Sequence, residues 1–181
     1  LLRYDLSSLG PQPQIYEATL SLYVLSRSNA NAMTAHMYRL LRTWNEQEAT
    51  WEYARAGLLW GAAGASAAGS DRAATPLHTT TLSGEGLWLS WDVTGLVQAW
   101  ASAPADNFGI IIAGEGAAGV EYRFASSEYE WDDTLRPRLV IRYSPGALTT
   151  PTATATATAS ATRTATASPS ATMTPPPGGD L

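Results

Sequence analysis

The sequence predicts an all-β domain, an antiparallel jelly-roll β-sandwich with one short helix, followed by an extended low-complexity C-terminal tail. Three observations carry this. Short segments across the first 144 residues alternate apolar and polar positions, a single stretch repeats instead at helical spacing, and from Thr150 to Thr174 every even-numbered residue is Ser or Thr. The domain is placed at 1–146 and the tail at 147–181.

Successive side chains of a strand point to opposite faces, so apolar residues two apart mark a half-buried strand. Leu2, Tyr4 and Leu6 share a face in this way, as do Leu20, Leu22 and Val24, and Leu87, Leu89 and Trp91. Val120, Tyr122 and Phe124 repeat the pattern, and Leu139, Ile141 and Tyr143 alternate with Arg138 and Arg142. The run GIIIAG at 109–114 is continuously apolar, which predicts burial on both faces. In AMTAHMYRLL, Met33, Ala35 and Met37 are in phase until Tyr38 and Leu40 break it, which predicts a bulge. Short strands divided by Gly, Pro, Asn and Ser clusters favour a sandwich over an α/β sheet.

The helical stretch is DVTGLVQAWASAP. Val93, Leu96, Val97 and Trp100 fall at i, i+3, i+4 and i+7, Thr94 or Asp92 can cap the start, and Pro104 lies past the end, which predicts a helix near 94–102. The small-residue segment GAAGASAAGS at 61–70 reads as a loop excursion.

Composition excludes several classes of function. The net charge is -5, the pI is about 4.9, and all 11 basic residues are Arg, so no cationic stripe is present to neutralise phosphates or anionic lipid. Nucleic acid and membrane insertion are therefore not expected, and no apolar run is long enough to span a bilayer. A start at Leu1 without Met or a signal-peptide pattern reads as a mature or excised piece. The absence of Cys removes disulfides, thiolate chemistry and Cys-ligated zinc. His36 and His78 stand without an HExxH or G-x-S-x-G pattern, and no acid pair is tied to a cleft, so no enzyme is expected.

In order, LLRYDLSSL, ATLSLYV, MYRLLRTWNEQEATW, WDVTGLVQAW, FGIIIAGEG and YRFASSEYEWDDTLRPRLVIRYS resemble the segments of DNRLRE-type domains. The resemblance spans about residues 1–144, and its most specific parts are the Trp44 to Trp51 spacing, the DVT before the helix, and FASSE followed by LRPRLVIRY. It implies an extracellular or cell-surface β-sandwich related to carbohydrate-binding modules, a jelly-roll fold, and binding to polysaccharide. Members of that family carry a further strand-bearing segment before the position matched by Leu1, so no ligand residue is carried over from it.

Sugar recognition needs exposed flat rings beside hydrogen-bonding groups. Of the seven Trp, Trp91 and Trp100 are in phase with core positions and Trp44 and Trp51 bracket a turn, so these four are assigned to packing. Trp88 is out of phase with Leu87, Leu89 and Trp91, and Trp131 lies beside Tyr129 in the polar loop SSEYEWDD. Trp88, Tyr129 and Trp131 are therefore the candidate carbohydrate-binding residues, against cross-strand pairing as the plainer role. Glu128, Glu130, Asp132 and Asp133 in the same loop are the candidate ligands for a structural Ca2+, which takes six to eight oxygens. The plainer assignment is a solvated acidic loop partly paired with Arg136 and Arg138. No other cofactor is expected.

Between Thr149 and Thr174 the only charge is Arg163 and the only large apolar side chain is Met173, too little to build a core. An extended conformation follows, and Ser/Thr-rich segments with Pro are characteristic of O-glycosylated stalks. The glycosylation candidates are Thr150, Thr152, Thr154, Thr156, Thr158, Ser160, Thr162, Thr164, Thr166, Ser168, Ser170, Thr172 and Thr174. Two functions emerge. One is a structural subunit of an extracellular, O-glycosylated fibre, assembled head to tail as the tail of one copy adds a strand to the next sandwich. The other is a non-catalytic carbohydrate-binding module of a secreted surface protein, with the tail as a linker. The expected partners are copies of the same chain and glycans.

Overall fold

The longest in-phase apolar run becomes the hub of the structure. The computed structural model describes residues 1–116 and 119–146, all within the unit Leu1–Leu148. The tail, with its expected extended form and hydroxyl row, lies outside the described residues. In chain order the strands are β1 (Gln14–Arg27), β2 (Met33–Arg39), β3 (Tyr53–Arg55), β4 (Leu58–Leu59), β5 (His78–Leu82), β6 (Leu87–Asp92), β7 (Ile110–Gly116), β8 (Tyr122–Phe124) and β9 (Arg138–Ser144), with helix α1 (Thr94–Ser102) between β6 and β7.

Ala18, Leu20, Leu22 and Val24 of β1 alternate with polar or half-exposed neighbours, so one face of the strand is buried along its middle. One edge of β1 pairs antiparallel with β6, from Thr19 opposite Asp92 to Val24 opposite Leu87. Its other edge pairs first with β9, from Gln14 opposite Ser144 to Ser21 opposite Arg138, and then with β8. Facing this sheet is a second antiparallel sheet in the order β5-β2-β7. Leu20, Leu22, Met37, Trp91 and Ile110 join Leu96, Val97 and Trp100 of α1 in one apolar cluster between the sheets. Each fully buried aliphatic side chain of this kind contributes about 1.5–3 kcal/mol over its exposed state.

α1 forms where its spacing predicts. Asp92 Oδ1 accepts from Thr94 N at 2.9 Å and from Thr94 Oγ1 at 2.6 Å, while Thr94 Oγ1 also accepts from Ala18 N at 2.9 Å. The start of the helix is thereby bound both to its own approach and to β1.

The phase break at Tyr38 does not mark a bulge. β2 keeps one continuous register with β7 from Met33 opposite Gly116 to Arg39 opposite Ile110. Tyr38 and Leu40 lie on the far side of the sheet because a second cluster covers that side, built from Leu40, Trp44, Ala54, Trp60, Ala65 and Ile111. This cover comes from residues 41–73, including the β3-β4 hairpin, and it explains the continuous run in β7: Ile110 packs in the first cluster and Ile111 in the second.

The excursion at 61–70 is organised by one buried acid. Asp71, with no exposed surface, accepts from the backbone N-H groups of Gly61 at 2.8 Å, Ala62 at 3.0 Å and Ala67 at 3.2 Å, and pairs with Arg42 at 3.1 Å. Burial pushes the carboxyl up, but these four hydrogen bonds together outweigh it and hold the group below the usual carboxylate value.

Leu2, Tyr4 and Leu6 are half-buried and alternate with exposed Arg3 and Asp5, as a strand would, yet they form no ladder. The segment joins the sheet by one bridge, in which Leu2 N donates to Ile110 O at 3.0 Å and Ile110 N to Leu2 O at 2.8 Å. Gly109, at φ +85°, makes this approach possible, since a Cβ there would strike the Leu2 carbonyl.

Candidate functional site

The bridge at Leu2 stops where β7 continues, and a cavity of about 720 Å³ opens beyond it. Backbone parity fixes which groups of β7 face that edge. In an antiparallel ladder the N-H and C=O of one residue point to one neighbour and those of the next residue to the other. Ile110 directs its pair towards Leu2, so Ile112 and Gly114 direct theirs to the same edge. Among the described residues no backbone group meets them there.

The lining comes from both sheets. Met33, Ala35, Ile112 and Gly114 supply one wall, and Leu22 and Phe124 the other. Gly114 lies close under the Met33 sulfur, which a Cβ there would have to displace. Two links join the sheets, both on β5: at the cavity lining Tyr122 Oη shares its proton between Leu82 O and Asn31 O, each at 3.0 Å, and away from the cavity Trp91 Nε1 donates to Thr80 Oγ1 at 2.8 Å. The mouth is polar, with Arg3, Asp5, Glu46 and Ser126. The Arg3 guanidinium lies 5.6 Å from the ring centre of Trp44, whose Nε1 donates to Phe108 O at 2.8 Å.

Tyr4 also lines the cavity, and its buried hydroxyl has no hydrogen-bond partner among the described residues. Burial pushes this phenol up to about 12 from 10.0. An unfolded phenol ionises near 10, so the folded state is penalised as pH rises from there towards the folded value, and stability falls across that window. Tyr4→Phe is expected to lose no stability at neutral pH and to show a smaller fall between pH 10 and about 12. Urea midpoints of the two proteins across that range check it.

Of the carbohydrate candidates, Trp131 is 89% exposed and Tyr129 half-buried. Trp88 is half-buried and already engaged. Its ring meets the edge of Tyr23 at a centroid distance of 5.3 Å, and the Arg138 guanidinium lies 3.8 Å above it. Trp88 and Tyr23 are direct cross-strand neighbours in the β1-β6 ladder. Among the described residues no ring pair joins Trp88 to Trp131.

The expected pairing of Arg136 and Arg138 with the acidic loop does not form. Arg138 stacks on Trp88, and Arg136 Nε donates to Tyr129 O at 2.9 Å. Glu128, Glu130, Asp132 and Asp133 are all exposed, and among the described residues no three His, Cys, Asp or Glu gather as a metal site. Asp132 is instead occupied locally, accepting from Thr134 N at 2.9 Å and Thr134 Oγ1 at 2.6 Å to cap a 3-10 turn. His36 contacts Thr79 Oγ1 at 3.0 Å through one ring nitrogen and Glu115 at 3.4 Å through the other, and His78 contacts the Asp92 carbonyl at 2.7 Å.

One aromatic is placed against expectation. Trp51, assigned to packing from its spacing, is 73% exposed, with its ring against Gly64. Tyr53 and Leu59, paired across the β3-β4 hairpin, are exposed as well. Nothing in local alternation distinguishes Trp51 from the buried Trp44 and Trp60.

An antiparallel β domain with a shared core and a cavity along one strand edge is the class of module that these residues define. The chain belongs to the Disaggregatase related repeat domain family, whose model matches residues 1–141. The match extends into β9 and stops short of the tail. No curated protein matches the chain.

Proposed function

We propose that the chain is a non-catalytic structural subunit of an extracellular, O-glycosylated fibre, built on a DNRLRE-type, carbohydrate-binding-module-like jelly roll. Copies join head to tail as the tail of one chain adds a strand to the next. One observation carries this reading: β9 delivers a folded domain directly into a tail of strict Ser/Thr alternation. That tail cannot build a core of its own, so a β conformation there requires backbone partners from elsewhere. A head-to-tail contact uses two different surfaces and propagates into an open filament. Sugars on the hydroxyl row would stiffen the connector and shield it from proteases.

A second reading, a carbohydrate-binding module with the tail as linker, is favoured by the exposure of Trp131. The two part under one deletion. Removing 149–181 is expected to leave a folded monomer by velocity sedimentation, with no filaments in electron micrographs, whereas the full chain forms them. Unchanged filaments would overturn the fibre reading. Retention on polysaccharide by both proteins, abolished by Trp131→Ala, would establish the second. Native material is expected above the bare polypeptide mass of 19.2 kDa by its O-linked sugars.

A further inference from the structure

We propose that Trp51 is a stacking platform for a neutral pyranose sugar, held on the turn at Gly64 and flanked in the chain by Glu52, Tyr53 and Arg55. The inference rests on the carbohydrate-binding reading above and adds a sugar site separate from Trp131.

Backbone hydrogen bonds build the platform. Thr50 N donates to Tyr53 O at 2.8 Å, Thr50 Oγ1 accepts from Tyr53 N at 3.0 Å, and Thr50 O accepts from Trp60 Nε1 at 3.0 Å. Trp51 O accepts in turn from Gly64 N at 2.6 Å. The segment carrying the ring is thus tied to Tyr53 and Trp60 on one side and to the 61–70 loop on the other. That loop is itself fixed by the Asp71 carboxylate, through Gly61, Ala62 and Ala67.

The six-membered end of the Trp51 ring lies against Gly64, where a Cβ would have to displace it. Residues 61–65 are Gly-Ala-Ala-Gly-Ala, so nothing larger than a methyl rises from the surface that supports the ring. Trp51 accordingly stays 73% exposed although its backbone is held. A ring already fixed in place loses little freedom when a ligand stacks on it.

The chemistry around the ring selects a sugar. A pyranose packs its C-H face on an indole and directs its hydroxyls to polar groups at the rim. Glu52 and Arg55 are both exposed and offer an acceptor and a donor, and Tyr53 adds a second exposed ring. The exposed apolar side chains of this region are Trp51, Tyr53 and Leu59. That is far short of the roughly 20–30 residues a side of a stable protein interface, whereas one indole suffices for one sugar ring.

Local charge selects a neutral sugar. Residues 45–59 hold Glu46, Glu48 and Glu52 against Arg55 alone, all four exposed, in a chain of net charge -5. This surplus disfavours a carboxylated or sulfated polysaccharide.

Full-length protein and its variants, applied to an array of immobilised neutral and acidic oligosaccharides, test the assignment, with thermal unfolding of each variant as the check on folding. The wild type is expected to bind neutral pyranose glycans. Trp51→Ala is expected to lose on the order of tenfold or more in affinity and Trp51→Phe to retain part of it, with unfolding unchanged in both because the ring is exposed. Gly64→Ala leaves Trp51 in the chain but pushes its ring aside, so weakened binding is expected there too. Equal binding by the wild type and Trp51→Ala overturns the inference. If Trp131→Ala alone abolishes binding, the module reading stands and only the Trp51 site falls. Binding confined to acidic glycans overturns the neutral-sugar assignment. If Trp51→Ala changes the sedimentation of the full chain and no glycan signal, a second copy covers the ring and the inference falls. If no glycan on the array is bound, both readings fall.

Discussion

Replacing Asp71 by Ala is expected to destabilise the domain by about 3–5 kcal/mol, the range for removing one partner of a buried, hydrogen-bonded charge pair. The carboxylate satisfies three backbone N-H groups and Arg42 in a loop rich in Gly and Ala, which has few other means of fixing its path. Its loss leaves those donors buried and unpaired. Asp71→Asn keeps an acceptor but turns an amide N-H2 towards donors, so an intermediate loss is expected. The pH dependence follows from the lowered carboxyl. The unfolded carboxyl titrates near 3.9, so this contribution is fully present above that value and is lost as pH falls through the lower folded value. Chemical denaturation followed by tryptophan fluorescence at pH 7 and in the acid range tests both effects. A wild-type loss below pH 4 that persists unchanged in Asp71→Ala would assign the acid sensitivity elsewhere.

Trp44→Ala is expected to cost a further large amount, about 3–5 kcal/mol for a buried aromatic. Trp44 is 8% exposed, belongs to the second apolar cluster, borders the cavity and stacks beneath Arg3. Its loss therefore hollows the cover on β7 and removes a support of the N-terminal segment. Trp44→Phe keeps most of the ring but leaves the Phe108 carbonyl without its donor, with an expected cost of about 1–3 kcal/mol. Thermal unfolding orders the variants. Hydrogen exchange at the Leu2 and Ile110 amides, which form the bridge, is expected to accelerate in Trp44→Ala more than in Trp44→Phe. Equal protection in all three proteins would separate the bridge from Trp44.

The candidate site was legible in the sequence only in fragments. The alternation of Leu2, Tyr4 and Leu6 predicted a strand, but which part of β7 the segment meets depended on the bridge between Leu2 and Ile110, and the cavity wall on the meeting of Gly114 with Met33 across two strands. Trp88 was correctly placed outside the in-phase set of β6. Whether its ring was free to bind depended on Tyr23 and Arg138, which reach it from strands 65 and 50 residues away in sequence.

What the sequence determined by itself is local and periodic. Alternation located the core faces of β1 and β6, helical spacing located α1 at Thr94–Ser102, and the unbroken GIIIAG run signalled a strand buried on both sides. These follow from backbone geometry, because a period of two or 3.6 directs side chains to a face whatever the face then meets. Tertiary structure decided what each face meets. It put Tyr38 and Leu40 under the 41–73 cover where the phase break suggested a bulge, left Trp51 in solvent while burying Trp44, and gave Asp71 the task of holding a loop with little side-chain information of its own. Burial and hydrogen-bond satisfaction depend on atoms brought together from distant parts of the chain, and no local pattern specifies them.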